Sequence, residues 1–166
     1  MTGQYLYRDP QGNIYTILSM ERSIGFKERR YIEELRILTK AIALDCIIDE
    51  KFQRVIYIIR PGDMGFAIGK KGENIRRMQN VLGKRIEMVE YSGERDEFIA
   101  NIFRPVPIAR IEKGGESGNL VVYLLKQSDL GTAIGKKGAN IEKARLLIRK
   151  FWNEELSELR VNEGAT

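Results

Sequence analysis

Apolar residues recur along this chain with two different spacings. From Phe26 they fall at Ile32, Leu35, Leu38 and Ile42 among charged residues, which is the spacing of an amphipathic helix of about four turns. Cys46 to Ile48 and Arg54 to Arg60 are short β-branched runs on either side of Asp49-Glu50-Lys51, and they predict two strands joined by a turn. Pro61-Gly62 ends the second strand, and Asp63 is placed to N-cap a short helix through Ile68. A longer helix follows, with Ile75, Met78, Val81 and Leu82 as its buried stripe. Gly83 stops it, and Arg85 to Tyr91 reads as a closing strand.

The order then repeats. Glu94, Asp96 and Glu97 suit a helix start, and Phe98, Ile99, Ile102 and Phe103 give that helix an apolar face until Arg104-Pro105 ends it. Strands are predicted at Val106 to Glu112 and Leu120 to Lys126, around a flexible loop from Lys113 to Gly118. Asp129 takes the part of Asp63, Ile141, Ala144, Ile148 and Phe151 supply the next amphipathic helix, and Glu158 to Val161 is a last, weaker strand. At an offset of sixty-six, Val55, Tyr57 and Arg60 fall opposite Val121, Tyr123 and Lys126.

The division predicted is an N-terminal extension over 1–25, domains over 26–91 and 92–162, and a tail over 163–166. In the extension, two stretches rich in Tyr, Ile and Leu flank Asp9-Pro10-Gln11-Gly12, which suggests a hairpin or a loose extension. Units of roughly 65 residues sit near the size where a lone core is marginal. The two halves are therefore expected to pack on each other.

One segment is repeated almost letter for letter. Gly65 to Ile75 reads GFAIGKKGENI and Gly131 to Ile141 reads GTAIGKKGANI, identical at nine of eleven positions. Two lysines between two glycines at the head of a helix suit a backbone that approaches a phosphate. Charge agrees: 28 Lys and Arg oppose 23 Asp and Glu, an excess that favours a polyanionic partner. Between positions 60 and 86 the basic residues are Arg60, Lys70, Lys71, Arg76, Arg77, Lys84 and Arg85, against Asp63 and Glu73 alone.

Other chemistries fit poorly. The chain has no histidine and a single cysteine, Cys46, in an apolar run; imidazole bases, imidazole ligands, an intrachain disulfide and multi-cysteine metal sites are excluded. Gly65 to Lys70 resembles a phosphate-binding P-loop, but three residues separate its glycines where four are needed, and Lys71 stands where a Ser or Thr must hold magnesium. No dinucleotide-binding glycine pattern occurs. A binding protein without cofactor or small-molecule substrate is predicted, rather than an enzyme. The longest apolar runs are about five residues, far short of a membrane span, and no leader opens the chain, so a soluble, cytoplasmic protein is expected.

The element order, with an Ile-Gly-Lys-Lys-Gly loop between two helices, resembles the KH domain of the prokaryotic type (type II), and the tandem pair resembles the KH region of the NusA transcription factors, the short archaeal NusA-like form above all. The likeness spans about Phe26 to Asn162. It implies an α+β fold of two tandem type II KH domains, each with helices packed on a three-stranded sheet. It also implies binding of single-stranded RNA and an influence on transcription elongation, pausing and termination, in contact with the transcription machinery. The bacterial members also carry an S1 domain and a polymerase-binding domain, for which 166 residues leave no room.

A KH module clamps about four nucleotides with its glycine loop. Gly69 and Gly72 would let the backbone come close, Lys70 and Lys71 bring charge to the nearest point, and Gly135, Lys136, Lys137 and Gly138 repeat the set. Ile68 and Ile134 would floor an apolar groove, supported by Ile75 and Ile141. Asn74 and Asn140 either donate to the strand or cap the local turn. Arg76, Arg77 and Lys143 would extend the positive track, less evenly in the second copy, where Glu142 and Ala139 replace Arg76 and Glu73. Two docked modules would present a track for about eight nucleotides or more. Three alternatives stay open: a scaffold whose basic loops meet an acidic protein, a KH factor of ribosome assembly or RNA decay, and a single strand of DNA.

Overall fold

A computed structural model of the chain describes residues 6–8, 14–16 and 25–162. Strands β1 (Leu6–Arg8) and β2 (Ile14–Thr16) pair antiparallel, with Tyr7 opposite Tyr15. The predicted turn residues Asp9-Pro10-Gln11-Gly12 and the 163–166 tail lie outside the described residues. The rest divides between Gly93 and Glu94 into two compact units.

In the first unit, helix α1 (Phe26–Thr39) buries Tyr31, Leu35 and Thr39, with Ile32 and Leu38 packed beside them. It ends where Lys40 turns left-handed at φ 68° and returns its N–H to the Arg36 carbonyl at 2.8 Å. Ile42, predicted as part of the helical stripe, falls beyond this stop. Its N–H instead donates to the Asp63 carboxylate at 2.9 Å. Strands β3 (Ala43–Asp49) and β4 (Arg54–Ile59) follow as an antiparallel pair, then helices α2 (Met64–Ile68) and α3 (Glu73–Leu82), then β5 (Arg85–Glu90) parallel to β4 on its other side.

Central position explains why all six residues of β4 are buried. Val55, Tyr57 and Ile59 alternate into a core with Tyr31, Leu35, Cys46, Ala67 and Met78, as the period of two along a strand requires. The Tyr57 hydroxyl donates to the Tyr31 carbonyl at 2.8 Å. Burial pushes its pKa upward, so it stays a neutral donor, and such a satisfied buried bond is worth about 1 kcal/mol. Arg54, 1% exposed, is held by Asp49 at 2.8 Å and Glu87 at 2.9 Å, with its guanidinium over the Phe52 ring. The core line of α3 is Ile75, Met78 and Leu82. Val81, predicted for that stripe, is 54% exposed, because it sits off the i, i+3, i+7 line.

The second unit has the same order: α4 (Arg95–Phe103), β6 (Ile108–Gly114), β7 (Asn119–Leu124), α5 (Leu130–Ile134), α6 (Ala139–Trp152) and β8 (Leu156–Val161). Its sheet runs β6-β7-β8, with an antiparallel and then a parallel pair, like β3-β4-β5. All four apolar residues predicted for α4 are buried. Phe98 meets Phe151 edge-on at 5.4 Å and Trp152 at 5.0 Å, distances at which aromatic pairs attract. Strand β6 starts at Ile108, later than predicted, since Pro105 and Pro107 have no N–H for a ladder.

The strands do not superpose at the offset of the loops. Four residues, 60–63, join β4 to α2, whereas five, 125–129, join β7 to α5. Ile59 accepts from the N–H of Tyr91, and Leu124 plays the same part for Asn162, so the central strands align at sixty-five. Val122, not Tyr123, is the counterpart of Tyr57. Leu120, Val122 and Leu124 are fully buried, while Tyr123 turns to the other face, where the Arg110 guanidinium lies 3.8 Å from its ring centroid. No helix among the described residues is long and apolar enough to cross a membrane.

Candidate nucleic-acid interface

Each GKKG loop joins a five-residue helix to a longer one through three unusual residues. Gly69 has φ 75° and ψ 171°, and Gly135 has φ 80° and ψ 167°, a region open essentially to glycine alone. Lys71 (54°, 30°) and Lys137 (56°, 24°) are left-handed, and so are Gly72 (74°, 16°) and Gly138 (78°, 13°). The loop closes on itself: Gly72 donates to Gly69 and Gly138 to Gly135, both at 3.1 Å.

These dihedrals push both lysines outward. Lys70, Lys71, Lys136 and Lys137 are all exposed, at the head of a helix whose first N–H groups have no partner within the helix. The charges and the helix dipole converge on one point, an arrangement that suits an anion. In the first unit Arg60, Lys84 and Arg85 are engaged by Asp63, Glu50 and Glu87. Between residues 60 and 86 the charge offered outward therefore narrows to Lys70, Lys71, Arg76 and Arg77.

The first glycine of each loop is required by the protein itself. A Cβ on Gly69 would stand 2.9 Å from the Asn74 backbone nitrogen, and one on Gly135 2.7 Å from that of Asn140. The asparagines brace the turn: Asn74 Nδ2 donates to the Phe66 carbonyl at 2.7 Å, and Asn140 Nδ2 to the Ala133 carbonyl at 3.0 Å. Their amide donors are thus directed at the short helix before the loop. Asp63 is buried at the N-cap position of α2 but makes no side-chain cap bond. Its carboxylate serves Ile42 and Arg60 instead.

The two copies differ behind the loop. Arg76 donates to the Lys71 carbonyl at 2.6 Å, so one of its donors is spent on the loop. Glu142 occupies that place in the second copy. Arg77 is exposed, but its counterpart Lys143 is 7% exposed. That corrects Lys143 as part of an outward positive track: it lies on the buried stripe of α6 with Ala139, Ala144, Leu147 and Ile148, four residues after Ala139 and four before Leu147.

The isoleucines divide by position. Ile68 is 37% exposed and Ile134 half-buried, while Ile75 packs against the first core and Ile141 is half-buried. Sequence reasoning passed over Phe66, which is 60% exposed on α2. The signal was present, since Phe66/Thr132 is one of only two differences between the repeats.

A family model described as KH domain matches residues 28–93. The chain is 36% identical over 108 residues to the "Probable transcription termination protein NusA" of Methanococcus vannielii, covering 64% of this chain and 61% of that one. It therefore spans less than two thirds of that relative. To the protein of the same name from Halobacterium salinarum (strain R1) it is 30% identical over 125 residues, covering 75% of this chain and 88% of that one. Among solved structures, the crystal structure of APE1850 aligns with a TM-score of 0.71 and 34% identity, over 84% of this chain and all of that one.

Proposed function

The chain belongs to the NusA-like family of KH-domain proteins, and on that premise we propose that it is a cytoplasmic, non-catalytic factor that binds single-stranded RNA and modulates transcription elongation and termination. One observation carries the reading: two GKKG loops with nearly the same dihedrals each present a pair of exposed lysines. In this reading Lys70, Lys71, Lys136 and Lys137 meet backbone phosphates, and Gly69, Gly72, Gly135 and Gly138 hold the shape that places them. Ile68 and Ile134 face the bases, and Arg77 continues the positive track on the first module alone. Asn74, Asn140 and Arg76 act mainly by fixing the loops. Each module would grip about four nucleotides. The transcript emerging from a polymerase is the single strand that the relatives' names point to.

Titration of an unstructured RNA oligonucleotide tests this. If all four lysines meet phosphates, log affinity falls with log salt with a slope near 3, about 0.7 per contact on a single strand. Exchanging Lys70 and Lys71 for Asp weakens binding at least about a hundredfold, since each charge-assisted contact is worth roughly 1.5–3 kcal/mol, while the fold persists because both side chains are exposed. Undiminished RNA affinity in that folded variant and in its Lys136/Lys137 counterpart would sink the proposal. Crosslinking in cells then separates nascent transcripts from ribosomal RNA or decay substrates as the natural target.

A further inference from the structure

A single exposed phenylalanine has no meaning of its own on a protein surface, but Phe66 comes with an internal control. The second copy builds the same short helix and nearly the same loop with Thr132, also exposed, in its place. The helix and the loop therefore do not need an aromatic ring there. Nor does the core: Ala67 is the fully buried residue of α2, and Phe66 keeps 60% of its surface in solvent.

The position ties Phe66 to the lysine loop. Its carbonyl accepts the Asn74 amide that braces the turn, and it precedes Gly69 by three residues, about 4.5 Å along the helix axis. Phe66 and Ile68 flank Ala67 by about 100° on either side. The two side chains therefore lie about 160° apart around the helix, so a strand whose phosphates meet Lys70 and Lys71 would meet Ile68 on one side of α2 and reach Phe66 with a further nucleotide on the other. Exposed rings beside cationic loops are how proteins hold single strands without sequence preference, because every base has a π-face. The cations that follow it in sequence are Lys70 and Lys71 of the loop.

Resting on the RNA-binding reading above, we propose that Phe66 is a base-stacking residue that extends the footprint of the first module beyond its GKKG loop and makes that module the stronger of the two. Thr132 leaves the second module with its lysine clamp and Ile134 but no ring to stack on.

The experiment uses the full chain and a labelled, unstructured RNA of about twelve nucleotides carrying 2-aminopurine at successive positions, whose fluorescence falls when it stacks. Phe66→Ala is expected to weaken binding on the order of tenfold and to abolish the quenching at one nucleotide. Phe66→Trp keeps both, Phe66→Leu loses both, and Thr132→Phe raises affinity and creates a second quenched position. Circular dichroism should be unchanged, as the side chain is exposed. Wild-type affinity and quenching in Phe66→Ala or Phe66→Leu overturn the inference, while Lys70→Asp/Lys71→Asp in the same assay still reports on the clamp. If the unaltered chain fails to bind RNA, the functional reading falls and this inference with it.

Discussion

The two GKKG loops agree within about six degrees at every special residue, yet the helices that leave them do not resemble each other. Helix α3 runs ten residues and fully buries Met78 alone, whereas α6 runs fourteen and buries Ala139, Lys143, Ala144, Leu147 and Ile148. Arg76 bonds back to the first loop, and the second loop takes the same shape with Glu142 there. Loop geometry therefore belongs to the eleven-residue segment itself. What lies behind the loop was free to diverge, and in the first copy it kept its cations outside.

The largest test of this comparison is the first glycine. Gly69→Ala and Gly135→Ala should each cost about 2–3 kcal/mol, because a residue with a Cβ is forced into a glycine-only region and against an asparagine nitrogen. Gly65→Ala, with nothing within 4 Å of the added carbon, should be nearly neutral. Urea unfolding measures all three, and unequal losses at Gly69 and Gly135 would break the claim that the loops are locally determined.

An intermediate effect separates α3 from α6. Lys143→Ala removes a buried stem and should lower stability by about 1–2 kcal/mol, leaving the salt slope of RNA binding unchanged. Arg77→Ala should do the opposite, with stability within about 0.5 kcal/mol and a slope reduced by about 0.7. Matching behaviour of the two variants would restore the equivalence that an offset of sixty-six suggests.

A smaller effect than at Lys143 should come from Arg76. With its bond to Lys71 exposed and absent from the sister loop, Arg76→Ala is expected to cost at most about 0.5–1 kcal/mol and to leave the loop's glycine resonances in place by NMR. A collapse of those resonances would show that the first loop depends on a brace the second does without.

Much of this architecture could be read from residues alone. The element order, the glycine stops at Gly83 and before each long helix, and the apolar face of α4 follow from local propensity and periodicity. Lys143 was not legible, because a lysine's long stem can lie buried where its formal charge suggests solvent. The strand correspondence failed for another reason. One extra residue before α5 shifts β7 by one position, and a shift of one exchanges the two faces of a strand, which sent Tyr123 outward. Asp63 holds the N-cap position predicted for it, but its carboxylate was not legible, because its partners lie twenty-one and three residues upstream, in Ile42 and Arg60.

Trp152, packed against Phe98, is the only tryptophan in the chain, and both residues belong to the second unit. Indole emission excited at the red edge consequently watches one half of this protein, while far-ultraviolet dichroism watches both. Coincident melting by the two signals would mean that the halves cooperate as one thermodynamic body; separated midpoints would give each half its own stability without cutting the polypeptide.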